Sequence, residues 1–63
     1  MADRLLLISE VAAITRLTEN TLRYLRHVGR GPRSAKLGKR IVYREGDVHQ
    51  WIEDQFLVDT AAS

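Results

Sequence analysis

Apolar and polar positions follow helical, then alternating, then helical rhythms along the chain, and each stretch predicts an element. Val11, Ile14 and Thr15 share one face at i, i+3 and i+4 spacing. Ser9 is a favoured N-cap and Glu10 suits the positive end of a helix, so a short first helix is predicted to start near Ser9. A second helix is predicted from Thr18, whose hydroxyl can accept from a first-turn amide. Leu17 before it and Leu22 at the fifth position fit a hydrophobic staple. The run Glu19–Val28 holds no Gly or Pro, and Gly29 stands where a helix end favours a left-handed residue. Leu22 and Leu25 mark the buried side of this helix, and Asn20, Arg23, Tyr24 and His27 line the opposite side.

Only Arg16 and Leu17 separate the two helices, which forces a sharp angle between them, as in a helix-turn-helix. Gly29-Arg30-Gly31-Pro32 then breaks the pattern. Ala35-Lys36-Leu37 and Ile41-Val42-Tyr43 flank Gly38-Lys39, a two-residue hairpin turn with Gly first, and the tip would carry Lys39 and Arg40. A lone hairpin is unstable, so its apolar side is expected to lie on the helices. A last helix is predicted from about Glu45 to Phe56, with Val48, Trp51, Ile52 and Phe56 on one apolar face. Gly46 weakens its first turn by about 1 kcal/mol relative to alanine. Residues 57–63 lack periodicity and are expected to fray.

The expected fold is mainly α with a small β-hairpin, in the order α-turn-α-β-β-α: a winged helix-turn-helix. The expected core is Val11, Ile14, Leu22, Leu25, Leu37, Val42, Val48, Trp51 and Ile52, with Trp51 as an anchor rather than a stacking platform.

With 63 residues the chain is read as one domain spanning 1–63, its core at about 6–56. It has no cysteine for disulfides or thiolate metal sites, so it must fold on side-chain packing alone or gain stability from a partner. Leu5-Leu6-Leu7-Ile8 is too short for a signal-peptide core or a membrane span, and a soluble, cytoplasmic protein with no membrane partner is expected. Charge changes the picture more. Residues 16–44 hold nine basic side chains and one acid, Glu19, a formal +8; residues 45–63 hold five acids and no base. A basic middle beside an acidic end suggests a polyanion-binding face backed by a solvated one, although two halves neutralising each other by ion pairing would carry the same charges.

Catalytic constellations are missing from the sequence. His27 and His49 stand apart, with neither a Cys nor a paired carboxylate nearby to build a metal site. Ser9, Ser34 and Ser63 lie in no nucleophile elbow, and Gly29-Arg30-Gly31 lacks the third glycine and following helix of a phosphate loop. No enzyme activity, metal or cofactor is expected. Double-stranded DNA is the expected partner. Asn20 can pair with an adenine edge and Arg23 with a guanine edge, while Tyr24 and His27 suit phosphate or sugar. Thr21 and Arg26 on the same helix, and Arg33 and Lys36 beside the wing, complete the candidate contact set. Lys39 and Arg40 on the tip can reach an adjacent minor groove. A solvated helix face and aggregation-blocking edge charges are the plainer alternatives for these two elements. Glu19 suits either a cytosine amino group or, preferably, the helix dipole. The acidic outer face of the last helix suits solvent or a protein partner.

Ser9-Glu10-Val11-Ala12, Thr21-Leu22-Arg23-Tyr24-Leu25-Arg26-His27 and Gly29-Arg30-Gly31-Pro32-Arg33 form one ordered set with Lys36-Leu37-Gly38-Lys39-Arg40, Val42-Tyr43-Arg44 and Asp47-Val48-His49-Gln50-Trp51-Ile52. Together these stretches resemble the excisionase/AlpA-like branch of the MerR-type winged-helix proteins, above all small actinobacteriophage (mycobacteriophage-type) excisionases. The resemblance implies a recombination directionality factor that binds repeated sites near a phage attachment site, bends DNA and steers a tyrosine integrase toward excision. Copies would sit side by side on the DNA. It also implies that the second helix and the wing touch DNA, through Asn20, Arg23, Tyr24, His27, Lys39 and Arg40. An AlpA-like transcription regulator and an adaptor acting through the acidic last helix are the alternatives. Full-length MerR regulators continue into a dimerisation helix and an effector domain, and ligand sensing is not expected of 63 residues. One position departs from the pattern: Arg16 stands where relatives often carry glycine, which predicts about 1 kcal/mol of strain if the backbone there is left-handed.

Overall fold

The computed structural model describes residues 3–62. Its elements are β1 (Leu5–Leu7), α1 (Ile8–Thr15), α2 (Glu19–His27), β2 (Ser34–Leu37), β3 (Arg40–Arg44) and α3 (Glu45–Ala62). The expected order of two helices, a hairpin and a final helix is present, with β1 added in front. The three strands form one antiparallel sheet in the order β1-β3-β2. Leu5, Leu6 and Leu7 face Arg44, Tyr43 and Val42 across the β1–β3 ladder. The aliphatic run near the N-terminus is therefore an edge strand of the wing, with Leu6 only 1% exposed.

That strand displaces the start of α1. The chain passes straight from β1 into the helix at Ile8, so Leu7, in extended conformation, occupies the cap position expected of Ser9, and Ser9 sits exposed in the first turn. The Leu7 hydroxyl-free side chain cannot cap, and the Glu10 carboxylate does so by accepting from the Leu7 N–H at 2.8 Å, steadied by Arg4 at 2.9 Å. At the other end Arg16 adopts φ 64° and ψ 19°, the left-handed cap that its position foreshadowed. Arg16→Gly is expected to raise stability by up to about 1 kcal/mol by relieving that strain. A urea melt with an unchanged or lower midpoint would count against a strained turn.

α2 has the boundaries its local chemistry predicts. The Thr18 hydroxyl accepts from the Thr21 N–H at 3.1 Å. Leu17 and Leu22 both join the core cluster, as a staple requires. At the C-terminus Gly29 takes φ 73°. The Arg30 N–H donates to the Leu25 carbonyl at 2.9 Å and the Gly29 N–H to the Arg26 carbonyl at 3.2 Å, the paired bonds of a Schellman motif. In the hairpin, Leu37 pairs with Arg40 across Gly38-Lys39, and Gly38 carries the positive φ of 60° that this turn demands.

The core differs from expectation in which sheet face it uses. Leu6, Ile41 and Tyr43 lie on the side that packs with Val11, Leu22 and Val48. Strand periodicity therefore sends Leu37 to the far side together with Val42. Val42 is still buried there, but Leu37 is 55% exposed and is not a core residue. Ile14, also expected inside, is 37% exposed and lines an apolar groove between α1 and α3 with Trp51, Ile52 and Phe56. Leu25 and Trp51 are half-buried. Trp51 anchors through its indole N–H, which donates to the Arg30 carbonyl at 3.0 Å and ties α3 to the loop after α2.

α3 also runs past its predicted end. Residues 57–62, expected to fray, continue the helix to Ala62; Ser63 lies outside the described residues. No Gly or Pro interrupts this stretch, so backbone bonding carries it on, with residues 57–59 exposed. Phe56 and Leu57 are exposed, Phe56 beside Ile14, Trp51 and Ile52 in the apolar groove, and α3 gives Val48 and Ile52 to the core cluster.

Candidate nucleic-acid interface

The six candidate positions on α2 (Asn20, Thr21, Arg23, Tyr24, Arg26 and His27) are all exposed, as are Arg33, Lys36, Lys39 and Arg40. Their arrangement follows from α2 burying Leu22 while turning its polar stripe outward. Arg23, the fifth of the nine residues of α2, lies in the middle of that stripe. Its Nη1 donates to Asn20 Oδ1 and its Nη2 to Glu19 Oε1, each at 3.1 Å. Glu19 is thus more than a dipole partner: it is bound to Arg23 by an i, i+4 ion pair. That spacing was the available signal for this contact. Thr21 has a local role, its hydroxyl accepting from the Thr18 hydroxyl at 2.9 Å.

The hairpin tip comes back to this part of α2. A groove of about 400 Å³ is walled by Glu19 and Arg23 on one side, by Lys39, Arg40 and Ile41 on the other, and by Leu7, Ile8 and Ser9 at its floor and end. Three of the candidate bases, from elements 16 residues apart in sequence at the nearest (Arg23 to Lys39), therefore flank one concavity. The first turn of α1 borders the same groove, and its N-terminus is held by the Glu10 carboxylate. Arg26 sits one turn further along α2, and its Nε donates to Ser34 Oγ at 3.0 Å, bracing α2 against β2. Ser34 is a contact that the sequence reading did not foresee. Arg33 is not part of the groove; it borders a separate depression on the outer side of the sheet with Leu5, Leu37, Arg44 and Asp47. Tyr24 and His27 stay on the exposed stripe.

Beneath the arginines lies Tyr43, 1% exposed, whose hydroxyl is buried without a hydrogen-bond partner. Burial pushes its phenol above the ordinary value of 10.0, while the positive charges of Arg26 and Arg23 oppose that rise. Tyr43→Phe removes an unsatisfied group and is expected to leave stability unchanged or raise it by up to about 1 kcal/mol. Above pH 10 the unfolded chain loses its phenol proton while the native state keeps it, so wild-type stability falls as pH rises. The Phe variant should lose less over that range. Melts from neutral to alkaline pH test this; a variant clearly less stable than wild type at neutral pH would mean the hydroxyl has a partner.

Two helices joined by a three-residue turn (Arg16, Leu17 and Thr18), followed by a three-stranded wing and a packing helix, define a winged helix-turn-helix protein. The chain belongs to the helix-turn-helix domain family, whose model matches residues 5–55, and a DNA-binding role follows from that membership. No curated protein and no solved structure matches the chain. Among the described residues no helix is long and apolar enough to cross a membrane, and no group of three or more His, Cys, Asp or Glu could hold a metal ion.

Proposed function

We propose that this chain is an architectural DNA-binding protein, a recombination directionality factor that binds repeated sites, bends DNA and favours integrase-mediated excision. The observation that carries the DNA-contact part is the groove shared by Arg23 on α2 and Lys39 and Arg40 on the wing. In this reading α2 enters the major groove, with Asn20 and Arg23 on base edges and Tyr24, Arg26 and His27 toward the backbone. The wing places Lys39 and Arg40 on the neighbouring minor groove, with Thr21 and Lys36 bordering the contact, while Arg33, on the outer side of the sheet, adds to the attraction for phosphate at longer range.

The architectural part rests on size and on the motif resemblance. The domain is 40 Å in its longest dimension, about one helical turn of duplex. One copy therefore covers a short site, and useful occupancy needs several copies side by side, with a tyrosine integrase as the further partner that the resemblance implies. A circular-permutation gel on a selected array of sites tests the reading. Position-dependent mobility that grows with each bound copy is expected. Straight DNA at saturation would overturn the architectural role and leave a regulator that acts by occupancy alone.

A further inference from the structure

Glu19 is the only acid among the ten charged residues between positions 16 and 44, and it stands on the wall of the groove that Arg23, Lys39 and Arg40 make basic. A carboxylate there lowers affinity for any polyanion. Its contacts offer a reason for its presence. Glu19 and Asn20 each accept one hydrogen bond from a different terminal nitrogen of Arg23, both at 3.1 Å. A guanidinium is a planar fork of five N–H donors, so two acceptors on different nitrogens orient its plane and leave three donors for other acceptors. A free arginine at this position would swing to the nearest phosphate, because phosphate attraction is long-ranged and independent of sequence.

From this geometry we infer that Glu19 is a specificity-determining residue. It positions Arg23 and withholds it from the DNA backbone, so that the guanidinium is available for a base edge. The inference rests on the reading of α2 as the contact helix. On cognate DNA the remaining Arg23 donors meet a base, whereas on other DNA they find no matching base acceptor and the Glu19 carboxylate still repels the nearby phosphates. Discrimination therefore comes partly from a repulsive element rather than from added attraction.

The test measures binding of the full chain to its selected site and to a scrambled duplex, at two salt concentrations. The proteins are wild type, Glu19→Gln, Glu19→Asp, Arg23→Ala and the Glu19→Gln/Arg23→Ala pair, each first checked for a wild-type circular dichroism spectrum. Glu19→Gln should tighten scrambled-duplex binding about threefold to tenfold and steepen its salt slope by about one phosphate contact. The cognate-to-scrambled ratio should fall by about tenfold. Glu19→Asp keeps the charge and the dipole interaction but shortens the reach to Arg23, and it should lower the ratio too. In the Arg23→Ala background, Glu19→Gln should no longer change the ratio. Equal tightening on both duplexes, or a wild-type ratio in Glu19→Asp, would overturn the positioning role while leaving the contact helix in place. An Arg23→Ala variant that binds both duplexes as wild type does would overturn the contact helix and this inference with it.

Discussion

Leu6→Ala is expected to cost about 3 to 5 kcal/mol, enough to leave much of the chain unfolded in water. A domain of 63 residues has a total stability of about 3 to 9 kcal/mol. Leu6 is among the largest fully buried side chains, and it packs with Val11, Leu22, Tyr43 and Val48. Truncating it opens a cavity beneath the strand that closes the sheet, and a core of this size has few neighbours able to move in. Leu5→Ala is the matched control, since its side chain points to the open face of the same strand. Its expected cost is within about 0.5 kcal/mol. Urea midpoints followed by circular dichroism separate the two. Equal losses would mean that β1 does not seat Leu6 in the core, and the sheet would then reduce to the hairpin alone.

What this result probes is the part of the fold that local sequence signals did not reach. α2 and the hairpin were legible because neighbouring residues specify them. Thr18 caps, Gly29 ends the helix in a left-handed turn, and Gly38 supplies the positive φ of the hairpin. β1 has no such signature. Leu5-Leu6-Leu7 is apolar on both faces, and only its partner Leu6–Tyr43 across the ladder decides which face is inside. The same non-local choice moved Leu37 out and Tyr43 in, since a strand pattern shows two faces but not which one meets the helices. Ser9 looked like a cap only while the chain before it lacked a strand to lead into Ile8. The end of α3 was missed for another reason. Periodicity reports a buried face, and residues 57–59, where the helix runs on, are exposed. The candidate site was more readable than the core, because exposed polar side chains on a well-bounded helix need no packing partner to be placed. Only the convergence of Arg23 with Lys39 and Arg40, and the hold of Glu19 on Arg23, required the tertiary structure.

Arg23→Ala is expected to weaken binding to a selected site by about 1 to 3 kcal/mol and to relax the preference at one base pair. The double change Lys39→Ala with Arg40→Ala should act differently. It should weaken binding to all duplexes alike and lower the salt slope by about two phosphate contacts, with base preferences unchanged. The contrast follows from where the side chains stand. Arg23 donates to Asn20 and Glu19 on the exposed face of α2, an orientation that suits recognition of a particular edge. Lys39 on the turn and Arg40 at the start of β3 are exposed and, among the described residues, have no side-chain hydrogen bond or ion pair like those of Arg23, which suits attraction to a dense negative surface. Affinity measured against salt, together with in-vitro selection for each variant, distinguishes the two effects. If the wing change altered base preference and the Arg23 change altered only the salt slope, the roles of helix and wing would be exchanged. The groove between them would still be the contact surface, but the wing rather than α2 would be the element that reads sequence.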